Sequence, residues 1–580
     1  MATIASYPVL DFSGGVRRDV SSFSLRKNEL LDARNVQLDE VGRIKTRLGS
    51  QQLGQTLTGT IENSFFYREN SAATSFGALL VNNSAQTSVI SILYGTRLTA
   101  AVAVGDTTIT VADTTSFAAS GNIEIDGDLI SYTGVGATTF TGVTGVTSAH
   151  ASGTQVQQWQ TLTQSGTAID ARAGITYAVL NNICIMSGTG PNIKQLAFTL
   201  GTPTITDVST TNEPSVLYLV SYHDRIYGAG AGNAIPGGLS SMIYFSSRGS
   251  GIVWDYTTDY FAVADQDNQP ISGLRVYSNN LGIFKMDKTF VYNEVELRNT
   301  DNYVGAYNHK VVQEVNGNLY TFCPNGIFAT NLFSSKSIGE PVAEFFKNFT
   351  PIFNPGSKRT VINTYAWVFD NSYFLYINDI TVPTVTNDVV LEYNTLTKTW
   401  TVHDGGYTDF YHVNLHPAIT LGASPLTDTP TTITNRPILI GGDSGGKVWR
   451  LNENKFINTS NTVVGSNLFV DRRSNTGTPI SSVVETPLYD LTHPELFKKF
   501  KHLRVYTESG QWSFEYRVED EKGVSSYRPF GTVSTTNQIL NFPSEAQGWR
   551  CGFRITSVSS NAQRVFNGFI FEDTEVIKRP

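Results

Sequence analysis

Apolar and polar positions alternate along most of this chain with a period of two, in short runs closed by Gly, Asn, Asp or Ser. The alternation is plain in Thr107-Thr108-Ile109-Thr110-Val111 and in Asn122-Ile123-Glu124-Ile125. Turns fall beside them at Gly105-Asp106, Ser120-Gly121 and Asp126-Gly127-Asp128. Between residues 159 and 455 one theme returns without a strict period: an apolar-Tyr-apolar strand, an Asn/Asp-Gly or Gly-rich turn, and another strand. Examples are Asp224-Arg225-Ile226-Tyr227-Gly228, Ser241-Met242-Ile243-Tyr244-Phe245, Leu274-Arg275-Val276-Tyr277 with Leu281-Gly282-Ile283-Phe284, Gly317-Asn318-Leu319-Tyr320 and Tyr373-Phe374-Leu375-Tyr376. Such clusters return at roughly the 40–50-residue spacing of propeller blades. The pattern predicts an all-β chain with a β-propeller-like body. A stack of sandwiches is the alternative that degenerate repeats leave open.

Some stretches depart from the alternation. Residues 28–33 follow a short helical pattern with Asn28 as its cap. Residues 341–349 place Val342, Phe345, Phe346 and Phe349 on one helical face. Residues 414–437 are rich in Pro and Thr and predict a long exposed loop. Residues 98–158 are nearly all Thr, Ser, Gly, Ala and Val and read as a small β module inserted into a larger fold. The chain then divides into an N-terminal arm with the first strands of the body (1–97), the inserted module (98–158), the propeller-like body (159–455) and a C-terminal β domain (456–580). A length of 580 residues fits several such units.

Composition agrees with strands. Charged residues are 16% of the chain, against about 25% in ordinary soluble proteins, and 50 glycines take part of their place. Tyr (26) and Phe (33) are abundant while Met (4) is scarce. The net charge of −8 argues against a clamp on nucleic acid, which needs Lys and Arg set against phosphates, but is compatible with DNA passing nearby. Cys184, Cys323 and Cys551 are odd in number, far apart and set in apolar runs, so buried free thiols are expected rather than disulfides. The N-terminus lacks a cationic start followed by an apolar core, and no run nears the ~18 apolar residues of a membrane span. The expectation is a soluble protein made in a reducing compartment, with no signal peptide and no membrane span.

No motif carries a convincing active site. Gly441-Gly442-Asp443-Ser444-Gly445-Gly446-Lys447 has phosphate-loop spacing. However, Val448 stands where Ser or Thr would hold Mg²⁺, and strands flank the run where a helix must follow. A hairpin turn is the reading. The same run loosely resembles a sialidase turn through Asp443, Gly445 and Trp449, with the order wrong. The eight histidines are scattered, and His403 and His412 sit near strand ends with aromatics. His493-Pro494-Glu495 has no deaminase cysteine partner. Asp126-Gly127-Asp128 and Asp265-Gln266-Asp267-Asn268 lack a full calcium-loop spacing, and turn chemistry explains both. The basic run at 498–504 reads as a solvated face or an intersubunit contact. No catalytic residue, cofactor or metal site is assigned.

One pattern points further. Asp11, Phe12, Gly14, Gly15, Asn28, Glu29, Asp32, Ala33, Asn35, Val36, Asp39, Gly42, Ile44, Arg47 and Gly49 follow the order D-F-x-G-G…N-E-x-x-D-A-x-N-V-x-x-D-x-x-G-x-I-x-x-R-x-G. This resembles the N-terminus of the tail nozzle (tail tubular) proteins of short-tailed bacteriophages. Leu48, where proline is usual, and the pair Arg17-Arg18, where small polar residues are usual, depart from it. The strand through Lys498, Lys499, Phe500, Leu503, Arg504 and Val505, and the closing Asn567-Gly568-Phe569, resemble the C-terminal region of the same family. Residues 98–158 resemble a separate module that recurs in phage structural proteins.

The resemblance implies a non-enzymatic virion subunit, assembled in the host cytoplasm. It would form a homohexameric ring below the portal and the head-to-tail adaptor protein, dock tail fibres or tailspikes, and let genomic DNA pass without reading its sequence. Arg17, Arg18, Arg43, Lys45, Arg47, Lys498, Lys499, Lys501 and Arg504 are the candidate assembly residues. The rival readings are a receptor- or carbohydrate-binding tail protein, an enzymatic propeller unrelated to phage, and a plug or baseplate protein of a longer tail.

Overall fold

The computed structural model describes residues 3–577 except 71–74, 85–87, 167–174, 189–192, 200–201, 209–211, 231–240, 268, 355–356, 383–384, 405–409, 417–419, 422–430, 433–436, 452–455, 458–462, 465–469, 472–477, 535 and 560–562. The chain is all-β: among the described residues, helix is confined to three 3-10 turns, Asp265–Asp267, His309–Val311 and Glu340–Phe345.

Five consecutive four-stranded antiparallel sheets cover 176–207, 218–262, 273–301, 313–337 and 364–403. We number them blades 2 to 6. Two residues turn the first strand of a blade into the second. In blades 2, 4 and 5 these are Asn181-Asn182, Ser278-Asn279 and Asn316-Gly317, with φ of 48° and 62°, 46° and 61°, and 49° and 72°. Positive φ at both positions is the turn whose twist matches a hairpin, and Asn and Gly tolerate it best.

Two further blades close the circle. Blade 1 is Thr60–Asn70, Ser75–Ser84, Ser88–Arg97 and Gln155–Thr161, with residues 98–154 inserted before its last strand. Blade 7 is Phe410–His416, Ile438–Asp443 and Val448–Leu451, and its fourth strand is Ser50–Gln52, from the other end of the chain. Contacts run from each blade to the next. The Phe65 and Tyr177 rings stack at 4.0 Å between blades 1 and 2. The Thr176 hydroxyl donates to the Leu217 carbonyl just ahead of blade 3, and the Tyr222 hydroxyl to the Asn279 carbonyl of blade 4. Tyr277 reaches the Gly317 carbonyl of blade 5, and Gln313 the Ala366 carbonyl of blade 6. Tyr365 and Trp367 share a core with Val413 and Trp449 of blade 7, and His416 meets the Ser64 hydroxyl of blade 1 at 2.8 Å. The body is a β-propeller of seven four-stranded blades among the described residues.

The two ends of the chain fold together beside it. One sheet holds Thr3–Val9, Val36–Leu38, Ile44–Thr46, His502–Ser509, Asn537–Asn541 and Val565–Val576. The other holds Asp32–Arg34, Thr478–Glu485, Trp512–Asp520, Arg528–Val533 and Arg550–Ser559. Phe12, Trp512, Phe514, Phe553, Phe566, Phe569 and Phe571 fill the core between them. The second sheet is joined to the outer strand of blade 6 by the parallel bridge Val402–Arg34.

Three expectations need correction. Residues 28–33 are not helical: Glu29–Leu30 and Asp32–Arg34 are short strands, paired with Gly15–Val16 and with Thr478–Glu485. Partners far away in sequence override a weak local helix signal. The face at 341–349 is reduced to the 3-10 turn Glu340–Phe345, interrupted at Val342 (φ −120°). Val342 and the three phenylalanines still pack on the main core. The predicted loop at 414–437 begins inside a strand, because Phe410–His416 is the inner strand of blade 7. Residues 417–419, 422–430 and 433–436 lie outside the described residues.

Candidate functional site

The arm residues that carry the resemblance build a clasp between sandwich and propeller. Asn35 is its centre. It adopts φ 55°, a left-handed conformation that Asn tolerates because its side chain bonds locally. Its amide nitrogen donates to Asp404 Oδ1 at 2.6 Å and to the Ser481 carbonyl at 2.9 Å, while its Oδ1 accepts from Arg47 Nε and from the Asp404 amide. Its backbone N–H reaches the Val402 carbonyl of blade 6, and its carbonyl accepts from the Arg47 amide and the Ser482 hydroxyl. One residue thus ties arm, blade and sandwich. Arg47, 1% exposed, completes the knot through the Leu48 carbonyl.

The remaining motif positions keep the arm's shape. Gly42 stands at φ 77°, and a Cβ there would lie 2.1 Å from Asp11 Oδ1. Gly15 (φ 65°) lets the chain lie on Thr399 and Trp400 of blade 6. Asp39 Oδ1 accepts from the Val41 and Arg43 amides and closes the turn between Val36–Leu38 and Ile44–Thr46. Burial would raise the Asp39 pKa, but hydrogen bonds from Arg43 and Lys45 bring it below the usual carboxylate value.

The structure spends the predicted basic residues largely inside the chain. Arg17 pairs with Asp19 at 2.9 Å and Glu29 at 3.2 Å, which raises its pKa. Arg18 holds Asp32 at 3.0 Å and lies over the Phe345 ring. Arg43 bridges Asp39 and Glu508, each at 2.7 Å, and Lys45 also holds Asp39. Lys498 is fully buried and donates to the carbonyls of His493, Leu496 and Trp549, three acceptors for three ammonium hydrogens. Lys501 pairs with Glu575, and Arg504 grips Glu572 through Nε (2.7 Å) and Nη2 (3.1 Å). Lys499 is half-buried and opposite Glu575 in the strand register. The expected basic face is a set of intrachain stitches.

A second convergence joins several blades and had no signal in the sequence. The turn His309–Val311 leads from blade 4 into blade 5, capped by Asn308, whose amide nitrogen donates to the Val361 and Thr364 carbonyls at the entry to blade 6. His309 stacks on Tyr218 of blade 3 and its Nδ1 accepts from the Leu274 amide of blade 4. Burial, helped by Arg275 and Lys310, pushes the His309 pKa down to about 3, in keeping with a neutral acceptor. Lys310 Nζ donates to the Glu62 carbonyl of blade 1 at 3.2 Å. This single turn thus touches blades 1, 3, 4 and 6.

The other candidate motifs are internal. Residues 443–448 form the predicted hairpin turn, with Asp443 accepting from the Gly445 and Lys447 amides and from Trp449 Nε1. Asp128 is held by Thr147, Ser148 and His150, and Asp267 by Lys285 and Lys288. His403 meets Glu392 at 2.7 Å inside blade 6, and His412 Nδ1 donates to the Ile61 carbonyl. The three cysteines are free and buried, as expected. Among the described residues no three His, Cys, Asp or Glu side chains gather as a metal site, and no helix is long and apolar enough to cross a membrane.

No protein-family model and no curated protein matches the chain. Among solved structures it is similar to YCF48 bound to D1 peptide (10% identity, 60% of this chain and 96% of that one, TM-score 0.30). It is also similar to YCF48 from Cyanidioschyzon merolae (9%, 62% and 95%, 0.27) and to an exo-β-1,3-galactanase from Phanerochaete chrysosporium (8%, 70% and 97%, 0.25). Likeness at this level carries no argument about activity, and the propeller assignment rests on the sheets themselves.

Proposed function

We propose that the chain is a non-catalytic structural subunit of a short phage tail's nozzle, working as part of a ring-shaped conduit in the virion. One observation carries the reading. The two segments that resemble that family, at opposite ends of the chain, pair within one sheet of the sandwich, and Asn35 of the first segment ties that sandwich to the propeller. A subunit under the pressure of a packaged genome needs this kind of construction, in which body and sandwich move as one piece. The adaptor above, and fibres or spikes outside, are the partners this reading implies. Electron microscopy of the purified chain tests it: rings with an axial opening wide enough for duplex DNA support the nozzle, whereas a monomer or a trimeric rod refutes it. Hydrolysis of a polysaccharide by the pure protein would overturn the non-catalytic part.

A further inference from the structure

Six of the seven blades draw all four strands from one stretch of chain interrupted at most by the module; blade 7 does not. Its outermost strand, Ser50–Gln52, arrives from the N-terminal side and pairs with Val448–Leu451 over only three residues, Ser50 with Leu451, Gln51 with Arg450 and Gln52 with Trp449. Beyond these pairs the Leu53 amide reaches the Val448 carbonyl and the Leu57 amide the Gly446 carbonyl, so the closing ladder stays a single short edge. The following residues are therefore informative. Trp159, on the strand that leaves the inserted module, donates from Nε1 to the Leu53 carbonyl at 2.7 Å and from its amide to Gln55 Oε1, while Gln55 Nε2 returns a bond to the Trp159 carbonyl. Gly54 adopts φ 72°, and a Cβ there would lie 2.5 Å from the Trp159 ring.

The module itself adds the remaining contacts. Its hairpin Gly121–Ile125 and Asp128–Tyr132 lies on Gln155–Thr161. Glu124 on this hairpin is 3% exposed; its Oε1 accepts from the Gly127 amide, and its Oε2 from the Gly54 amide at 3.4 Å. The Arg450 guanidinium, on the strand that pairs with Ser50–Gln52, faces the same carboxylate, and Asp126 is the other charged group near it. Gln51 Nε2 reaches Asp126 Oδ1 at 3.4 Å. A buried carboxylate costs free energy unless its acceptors are used, so its placement against Gly54 and Arg450 fixes the hairpin over the closing strand.

We propose that the inserted module is a latch on the closure of the propeller ring, with Glu124 as its positioning residue. The latch secures residues 50–55 where the ladder alone is short. Amide hydrogen exchange on the full chain tests it, because exchange reads the opening of one segment apart from the rest. In Glu124→Ala, amides of residues 50–55 should exchange about tenfold faster while those of blades 3 to 5 keep their rates. Glu124→Gln, which retains an acceptor for Gly54 or Gly127, should stay close to the parent. Unchanged exchange at 50–55 in Glu124→Ala, or acceleration shared equally with blades 3 to 5, overturns the latch. If Glu124→Ala does not fold, Asp126→Gly keeps the left-handed turn and deletes the contact to Gln51. Faster exchange confined to 50–55 then supports the proposal, and no change there refutes it.

Discussion

Blades 2 to 6 and the terminal sandwich are both antiparallel β, yet they are assembled in different ways. Each of those blades pairs strands that follow one another, so a turn such as Asn316-Gly317 brings Val315 against Asn318 at almost no loop-closure cost. The sandwich pairs Thr3 with Glu575 and Asp32 with Glu485, contacts that close nearly the whole chain. Such contacts close long loops, and they carry the larger entropic cost. The blades therefore rely on local turn chemistry and aromatic packing, while the sandwich needs specific long-range bonds: Asn35 to Asp404, Arg43 to Glu508, Lys501 to Glu575.

The strongest test of this contrast removes Trp512, which is fully buried in the sandwich core. Trp512→Ala should cost about 3–5 kcal/mol, and urea unfolding should separate into two steps, with the sandwich lost while blades 2 to 6 keep their signal. One cooperative transition would instead show that sandwich and propeller share a single folding unit. Arg47→Ala should come next, at about 3 kcal/mol, because it leaves Asn35 Oδ1 and the Leu48 carbonyl buried without that donor. The same two-step profile is expected, read by denaturant midpoint.

The latch region supplies a pH arm. Burial pushes the Glu124 pKa up to about 7, with Arg450 acting against it. A carboxyl raised in the folded state stabilises most below its ordinary value of 4.5, and that contribution is lost as pH rises through about 7, by up to about 3 kcal/mol. Thermal stability at pH 5 should therefore exceed that at pH 8 by more in the parent than in Glu124→Gln, where this contribution is absent. Lys498→Met should cost about 2 kcal/mol by depriving three carbonyls of their donor, seen as a lower unfolding midpoint of the sandwich step. The smallest effect belongs to a blade turn. Gly317→Ala meets no atom within 4 Å and pays only for φ 72°, so about 1 kcal/mol is expected, on the propeller step alone.

Period-two alternation and turn chemistry are local, so the sequence alone determined the all-β class, strands of blades 3 to 6, the turn at 443–448 and the buried thiols. Partners distant along the chain leave no such trace. Residues 28–33 carry a helical pattern, but Val16 and Val484 wait on either side of them and make them strands. Arg17, Arg18, Arg43 and Arg504 look like a free basic surface until Asp19, Asp32, Glu508 and Glu572 come within reach. Nothing near Lys310 announces that it will meet the Glu62 carbonyl of blade 1, nor does anything near Ser50 announce that it completes a blade begun at Phe410. Only tertiary structure decides these, because charge pairing and ring closure depend on which segments meet in space, and alternation records only which face of a strand is buried.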